Sequence, residues 1–417
     1  MIKKVGCYHL ARPRRKYRML VLAFVFAVLL FFIKLIFAPP TMIISYAVDE
    51  NASVGDQLTQ TVFEQLDGLD LKSFQNVLQG MSERELALFG GTNFLERITG
   101  ILKSETPSDY NSLFSQILGI LFDELLAFLP LFASICGIAI LSSFIGNLKT
   151  KSNEKSISDI IHFVCFGIII VLIAGAVLSF VGMTKSLLTS IQLQMQIAFP
   201  ILITLTAALG GVVSVGVYQP AVAILTNGIM EIFNFVVLPL FICSFIFSIV
   251  GNMSSGIKLD KFVSFFGSAF KWVTGTIFTL FLTFLTIQGI TAASADGISI
   301  RTAKYAIKSY IPLVGGHLSD GFSLILSSSM LIKNAVGVVG LLLLFATIMI
   351  PVIKIVIFSL GLKLTSAIIE PISDSRISNF VYTVSKSMNY LVATILAVSF
   401  MYLICVGLII CTSNAFV

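Results

Sequence analysis

A chain of 417 residues in which 57% are hydrophobic, only 12% are charged and 36 are Phe has too little polar surface to be solvated as a soluble enzyme. Its mean hydropathy is +0.99, and apolar runs of about 20 residues, the length that crosses a bilayer, recur from Leu125 to the C-terminus. The net charge of +6 is segregated: residues 1–18 hold seven bases and no acid, whereas residues 48–124 hold 13 of the 21 acids against four bases. This asymmetry keeps the basic end cytoplasmic, allows the acidic block to be exported, and reads as a topology signal rather than a nucleic-acid-binding tail.

Residues 1–47 combine the basic tail with an apolar stretch over 19–38, broken by Lys34, then Pro39-Pro40 and Ser45-Tyr46-Ala47. That order fits a signal peptide cut after Ala47 and equally an uncleaved signal anchor; either one exports the adjoining acidic region. Residues 48–122 are polar, with Leu58, Val62, Phe63 and Leu66 at helical spacing and breaks at Gly90-Gly91 and Pro107, which predicts a small helical extracytoplasmic region. It contains no cysteine, so no disulfide framework is available there. The six cysteines of the chain form no CxxC pair and mostly fall in apolar runs, where a thiol packs as a small hydrophobe.

The multi-spanning part, 123–412, opens with a span over about 125–147 and a loop bearing Lys149, Lys151 and Lys155, which should be cytoplasmic. A second span over 160–181 returns outward into a more polar helix, 185–196, whose Gln192, Gln194 and Gln196 suit an interfacial or pore-lining position. About seven spans are expected after the signal segment.

An internal repeat organises this part. Leu129-Pro130-Leu131-Phe132 recurs 109 residues later as Leu238-Pro239-Leu240-Phe241, and each copy leads to a Gly-Asn pair, Gly146-Asn147 or Gly251-Asn252, and a Lys-bearing loop. Each then reaches a Gly-Gly pair, Gly210-Gly211 after Pro200 in the first and Gly315-Gly316 after Pro312 in the second. Copies over about 120–225 and 229–335 and a truncated one over 340–412, containing Pro351, give an all-α polytopic membrane protein with a parallel repeat. Parallel copies require each unit to cross the membrane an even number of times, which makes the Gly-Gly segments re-entrant or the turns of paired helices. Pro130, Gly210, Gly211, Pro239, Pro312, Gly315, Gly316 and Pro351 are the hinge candidates. Arg301, Lys304 and Lys308 fit this topology poorly, because it places them outside.

No HExxH, GxSxG or Walker pattern is present and His9, His162 and His317 are far apart, so no catalytic set, metal or cofactor is expected. An isolated charge in lipid costs several kcal/mol, which makes ionisable residues near apolar runs the candidates for pore or coupling roles. Glu231 suits an interfacial anchor or an ion-coupling site. Lys333 with Asn334 suits a snorkelling helix end or a functional position. Lys354, three residues after Pro351, is placed where a bent helix could aim it into a cavity. Arg301, Lys304 and Lys308 share one helix face that could meet lipid phosphates, a partner or a pore wall.

Several of these segments carry a resemblance. The run Gln288-Gly289-Ile290, Asp296-Gly297-Ile298, Arg301-Thr302-Ala303-Lys304, then Ile311-Pro312-Leu313-Val314-Gly315-Gly316 and Leu331-Ile332-Lys333-Asn334-Ala335-Val336-Gly337, resembles the stage III sporulation protein AE family of endospore-forming bacteria. Gly210-Gly211-Val212-Val213-Ser214 with Pro220 is similar too, and the resemblance covers roughly 120–412. The long basic tail and Lys34 depart from it. It implies an integral protein of the mother-cell membrane surrounding the forespore, acting with the other stage III A proteins and a forespore partner protein in a channel joining the two cells. A self-sufficient ion-coupled permease and a membrane scaffold for soluble partners are the alternatives. The family brings no established catalytic residues.

Overall fold

The computed structural model describes residues 72–102, 110–148, 155–253, 259–310 and 315–414; within the helices, the side chains of 110–112, 146–148, 155–159, 161–162, 260, 288–295, 297–301, 303–304, 306–310, 315–322, 324 and 412–414 are outside that description. The basic tail, the signal segment and Pro312 thus lie outside the described residues. Among the described residues every regular element is a helix.

Three short helices come first: α1 (Lys72–Gln79), α2 (Glu83–Phe89) and α3 (Phe94–Leu102). Helices this short do not hold in isolation. They share an apolar centre in which Phe74, Leu78, Leu88, Phe89, Phe94 and Ile98 are all buried, and Phe74 stacks on Phe94 with ring centroids 4.1 Å apart. Ser82 and Glu85 form a reciprocal capping box at the start of α2. Gly90 ends it at φ 85°, a left-handed conformation that glycine enters without Cβ strain, so the expected Gly-Gly break is a helix stop. Gln75 accepts from the amide of Phe94 and donates to the carbonyl of Thr92, tying α1 to the α2–α3 turn.

Among the described residues, six helices are long and apolar enough to cross a membrane. They are α4 (Tyr110–Leu148), α5 (Lys155–Ala208), α6 (Val212–Met253), α7 (Asp260–Tyr310), α8 (Gly315–Ile369) and α9 (Ser375–Asn414). The span expected at 160–181 and the polar helix expected at 185–196 are one continuous α5 of 54 residues, extending about 80 Å at the usual rise per residue. The hydrocarbon of a bilayer is about 30 Å thick, so α5 runs well beyond a single crossing.

Burial is uneven. In α8, 72% of the apolar window is buried inside the protein, against 17% in α4. α8 packs against α4, α5, α7 and α9, and α2 and α3 rest on it as well. Without water to drive association, such contacts depend on close packing and on hydrogen bonds between helices. Phe358 of α8 meets Phe128 and Phe132 of α4 and Phe180 of α5 at centroid distances of 5.5, 6.0 and 4.8 Å. Gly361 makes room for this cluster: a Cβ there would lie 2.1 Å from the Phe132 ring. Between α8 and α9, Ser359 donates to the carbonyl of Ser385 at 2.8 Å and Ser366 to that of Ser378 at 3.0 Å. Both pairs are spaced by a heptad, which keeps the two antiparallel helices in register.

The turn between α5 and α6 is built by the first Gly-Gly pair. Gly210 adopts φ 82°, and the amides of Gly210 and Gly211 donate back to the carbonyls of Ala207 and Thr206, closing the end of α5. A Cβ on Gly211 would stand 2.9 Å from the Thr206 carbonyl oxygen. This pair is therefore the turn of two paired helices.

Candidate functional site: charges and amides buried between the long helices

An ionisable side chain among membrane helices persists where something offsets its desolvation. α8 places Lys354 against α4, with Nζ 3.4 Å from Glu124 Oε1. The Glu124 side chain is only 10% exposed, and Arg84 of α2 approaches the same oxygen with Nη1 at 3.8 Å. A second Arg84 nitrogen donates to Asp123 Oδ2 at 3.1 Å, on the outer edge of the group. One nearly buried carboxylate is thus flanked by two cations from different parts of the chain. Lys354, which the sequence placed where a bent helix could aim it into a cavity, has Glu124 as its counter-ion.

Lys333 differs from the snorkelling reading. It is 0% exposed, lies inside α8 rather than at its end, and donates from Nζ to the carbonyl of Ile409 at 2.7 Å. Ile409 lies near the C-terminal end of α9, where carbonyl dipoles favour a cation. Asn334 beside it is 2% exposed.

The glutamines of α5 also turn inward. Gln194, 1% exposed, donates to Thr347 Oγ1 of α8 at 2.8 Å, and Gln192 donates to the carbonyl of Thr226 in α6 at 2.7 Å. Their neighbourhood is helix–helix contact, not a free polar face; Gln196 alone of the three is exposed. The Thr226 carbonyl belongs to a π-helical stretch, Ile224–Ile229, which is succeeded after Met230–Ile232 by a second, Phe233–Val237. π-turns widen the helix and redirect backbone groups, and Gln192 meets one of them. Glu231 sits between the two stretches on an exposed face.

Asp296 is a site residue that the sequence candidates do not include. It is 1% exposed, and its two carboxylate oxygens accept from the amides of Val213 and Ser214 at 2.9 and 2.8 Å. A carboxylate from α7 thereby caps the first turn of α6, which has no side-chain cap of its own. Two of the segments that carried the resemblance, Gly210 to Ser214 and Asp296 to Ile298, meet here. The available signal was an acid within an otherwise apolar neighbourhood, close in character to Glu124.

The other candidates are placed by backbone alone or in part. Arg301, Lys304 and Lys308 are in the last turns of α7, and Gly315 and Gly316 open α8, but their side chains lie outside the described residues. Pro130 and Pro351 sit inside α4 and α8, and Pro239 lies in α6 just past the second π-helical stretch; each helix continues through its proline. Away from the spans, Arg97 packs its guanidinium over Gly90, and burial lowers its pKa.

Long apolar helices whose internal charges are met by groups of the same chain define a polytopic helical membrane protein. The match to known proteins is more particular. Stage III sporulation protein AE is the family that matches residues 92–413, and the chain belongs to that family. The chain is similar to stage III sporulation protein AE of Bacillus subtilis (strain 168), with 26% identity over 367 residues, covering 88% of this chain and 91% of the relative. No solved structure matches the chain at a significant level. Glu124, Lys333, Lys354, Asp296 and the α5–α6 turn all fall inside the matched residues, whereas Arg84 precedes them.

Proposed function

We propose that this chain is a membrane subunit of a sporulation transport or secretion-like channel between mother cell and forespore. It would sit in the mother-cell membrane around the forespore, act with the other stage III A proteins and a forespore partner protein, and be required for late forespore development. Family membership supports the sporulation setting. The observation that carries the subunit reading is the commitment of Lys354 to Glu124 and of Lys333 to Ile409 around a packed α8, an arrangement suited to a rigid wall element. Reconstitution separates this from the alternatives: dye release from liposomes is expected with the other stage III A proteins present and not with this protein alone. Release by the protein alone would instead support the permease, for which exposed Glu231 between two π-helical stretches is the coupling candidate. A scaffold would tolerate Arg301→Ala and Lys304→Ala without loss of sporulation.

We also propose that the domain division at 47 and 122 and the parallel repeat reflect the chain's organisation. Pro130, Pro239 and Pro351 each lie in the second half of a helix, α4, α6 or α8, that is succeeded by a partner helix, α5, α7 or α9. Cysteines placed at Ser152 and Ser254 should then react with an impermeant reagent from the same side and one at Ser104 from the other. Labelling of Ser152 and Ser254 from opposite sides would rule the parallel arrangement out.

A further inference from the structure

The seam between α7 and α9 carries charges that the cluster around Glu124 does not use. Lys271 and Lys386 each stand about three turns in from the start of their helix, roughly 16 Å by helical rise, and both are exposed. Lys271 Nζ lies 5.7 Å from the ring centroid of Tyr390 on α9, and Lys386 Nζ lies 4.2 Å from that of Tyr382, one turn earlier on its own helix. Tyr390 is seated firmly against α7. Its ring stacks on Phe270 at 4.7 Å, and its hydroxyl fills the space that a Cβ at Gly267 would need. Tyr382, Lys386, Tyr390 and Lys271 therefore form one ladder across the two helices. Trp272 beside it is 78% exposed, and a shallow recess lined by Lys271, Trp272, Gly275 and Thr276 opens at its edge.

The helix segments that carry and adjoin the two lysines are poor in acids. α9 contains no Asp or Glu, α7 contains none between Asp260 and Asp296, and the adjoining Leu238–Met253 of α6 contains none. Neither lysine forms an ion pair among the described residues. Beyond Tyr390, α9 continues from Leu391 to Cys411 without a charge, about the length of one hydrocarbon crossing. Lys, Tyr and Trp together at the start of such a stretch are the side-chain mixture of a membrane–water interface. Ammonium groups at that level that meet aromatic rings but form no ion pair among the described residues can still take an anion.

We propose that the α7–α9 seam binds the phosphate of an anionic lipid headgroup, with Lys271 and Lys386 as the charges and Trp272 and Tyr382 at the acyl boundary. Trp272 is the single Trp of the chain, so intrinsic fluorescence reports this site alone. The full-length protein is placed in phosphatidylcholine vesicles carrying equal fractions of brominated phosphatidylglycerol or brominated phosphatidylcholine. Quenching by the anionic lipid should be stronger, reflecting local enrichment of about fivefold for each lysine. Lys271→Gln with Lys386→Gln should abolish the difference, and Lys271→Arg with Lys386→Arg should keep it. Equal quenching by the two lipids in the unmodified protein, or a preference that survives the double glutamine change, overturns the proposal. Loss of the preference on adding millimolar inorganic phosphate at constant ionic strength would show a soluble phosphate as the ligand and overturn the lipid assignment.

Discussion

α4 and α8 are both long, oily and interrupted by a proline, yet they occupy opposite situations. α4 leaves Phe114, Phe122, Leu126, Leu129 and Phe144 exposed, while α8 is enclosed by its neighbours over most of its apolar length. Hydropathy reports how readily a segment leaves water; it does not distinguish lipid from protein as the place it goes, because the two are nearly equally apolar. The distinction is carried by less conspicuous features. α8 places Gly361, Ser359, Ser366, Thr347 and Lys333 at contacts with other helices, each a small or hydrogen-bonding residue that brings a neighbour close. Among the described residues, α4 meets α8 through Glu124, whose carboxylate pairs with Lys354.

The difference between the two helices can be attacked where they touch. Lys354→Ala should have the largest effect, since it leaves Glu124 with only Arg84 at 3.8 Å. Breaking a fully buried pair costs about 3–5 kcal/mol; with Lys354 35% exposed, a loss on the order of 1–3 kcal/mol is expected. Thermal unfolding in detergent measures it, and Glu124→Gln combined with Lys354→Gln should recover much of the loss. An additive double mutant would show that the two residues are not coupled.

A smaller effect is expected at Gly361. Helix propensity alone would favour Gly361→Ala by about 1 kcal/mol. The added Cβ meets the Phe132 ring, so a net loss of about 1 kcal/mol is expected, partly relieved by Phe132→Leu. Unchanged stability in Gly361→Ala would mean that α4 and α8 approach less closely than their ring contacts indicate.

Among the candidate residues, legibility depended on the range of the interaction. Lys354 was identifiable because a charge three residues after Pro351 in an oily run is conspicuous, and its burial against another group is what the cost of charge in lipid demands. Its partner was visible only as one of two adjacent acids, Asp123 and Glu124. The separation of 230 positions between Glu124 and Lys354 hides the pairing from any local pattern. Lys333 was conspicuous for the same reason, but a snorkelling end and a buried hydrogen bond look alike until α9 is known to run past it. Asp296 shows in the sequence only as a single acid, and its capping of α6 exists only because α7 returns to the α5–α6 turn.

By itself the sequence determined that lipid would solvate the chain, that it would be helical, that a turn falls at Gly210-Gly211, and which family pattern it carries. Composition, apolar run length and glycine chemistry are local properties and survive being read along a line. Tertiary structure decided that α8 is the enclosed column, and which charges meet. Those outcomes depend on groups far apart in the chain arriving within a few ångströms of each other, and such pairings are fixed by packing and by the need to satisfy every buried charge and amide, not by the order of residues along any single helix.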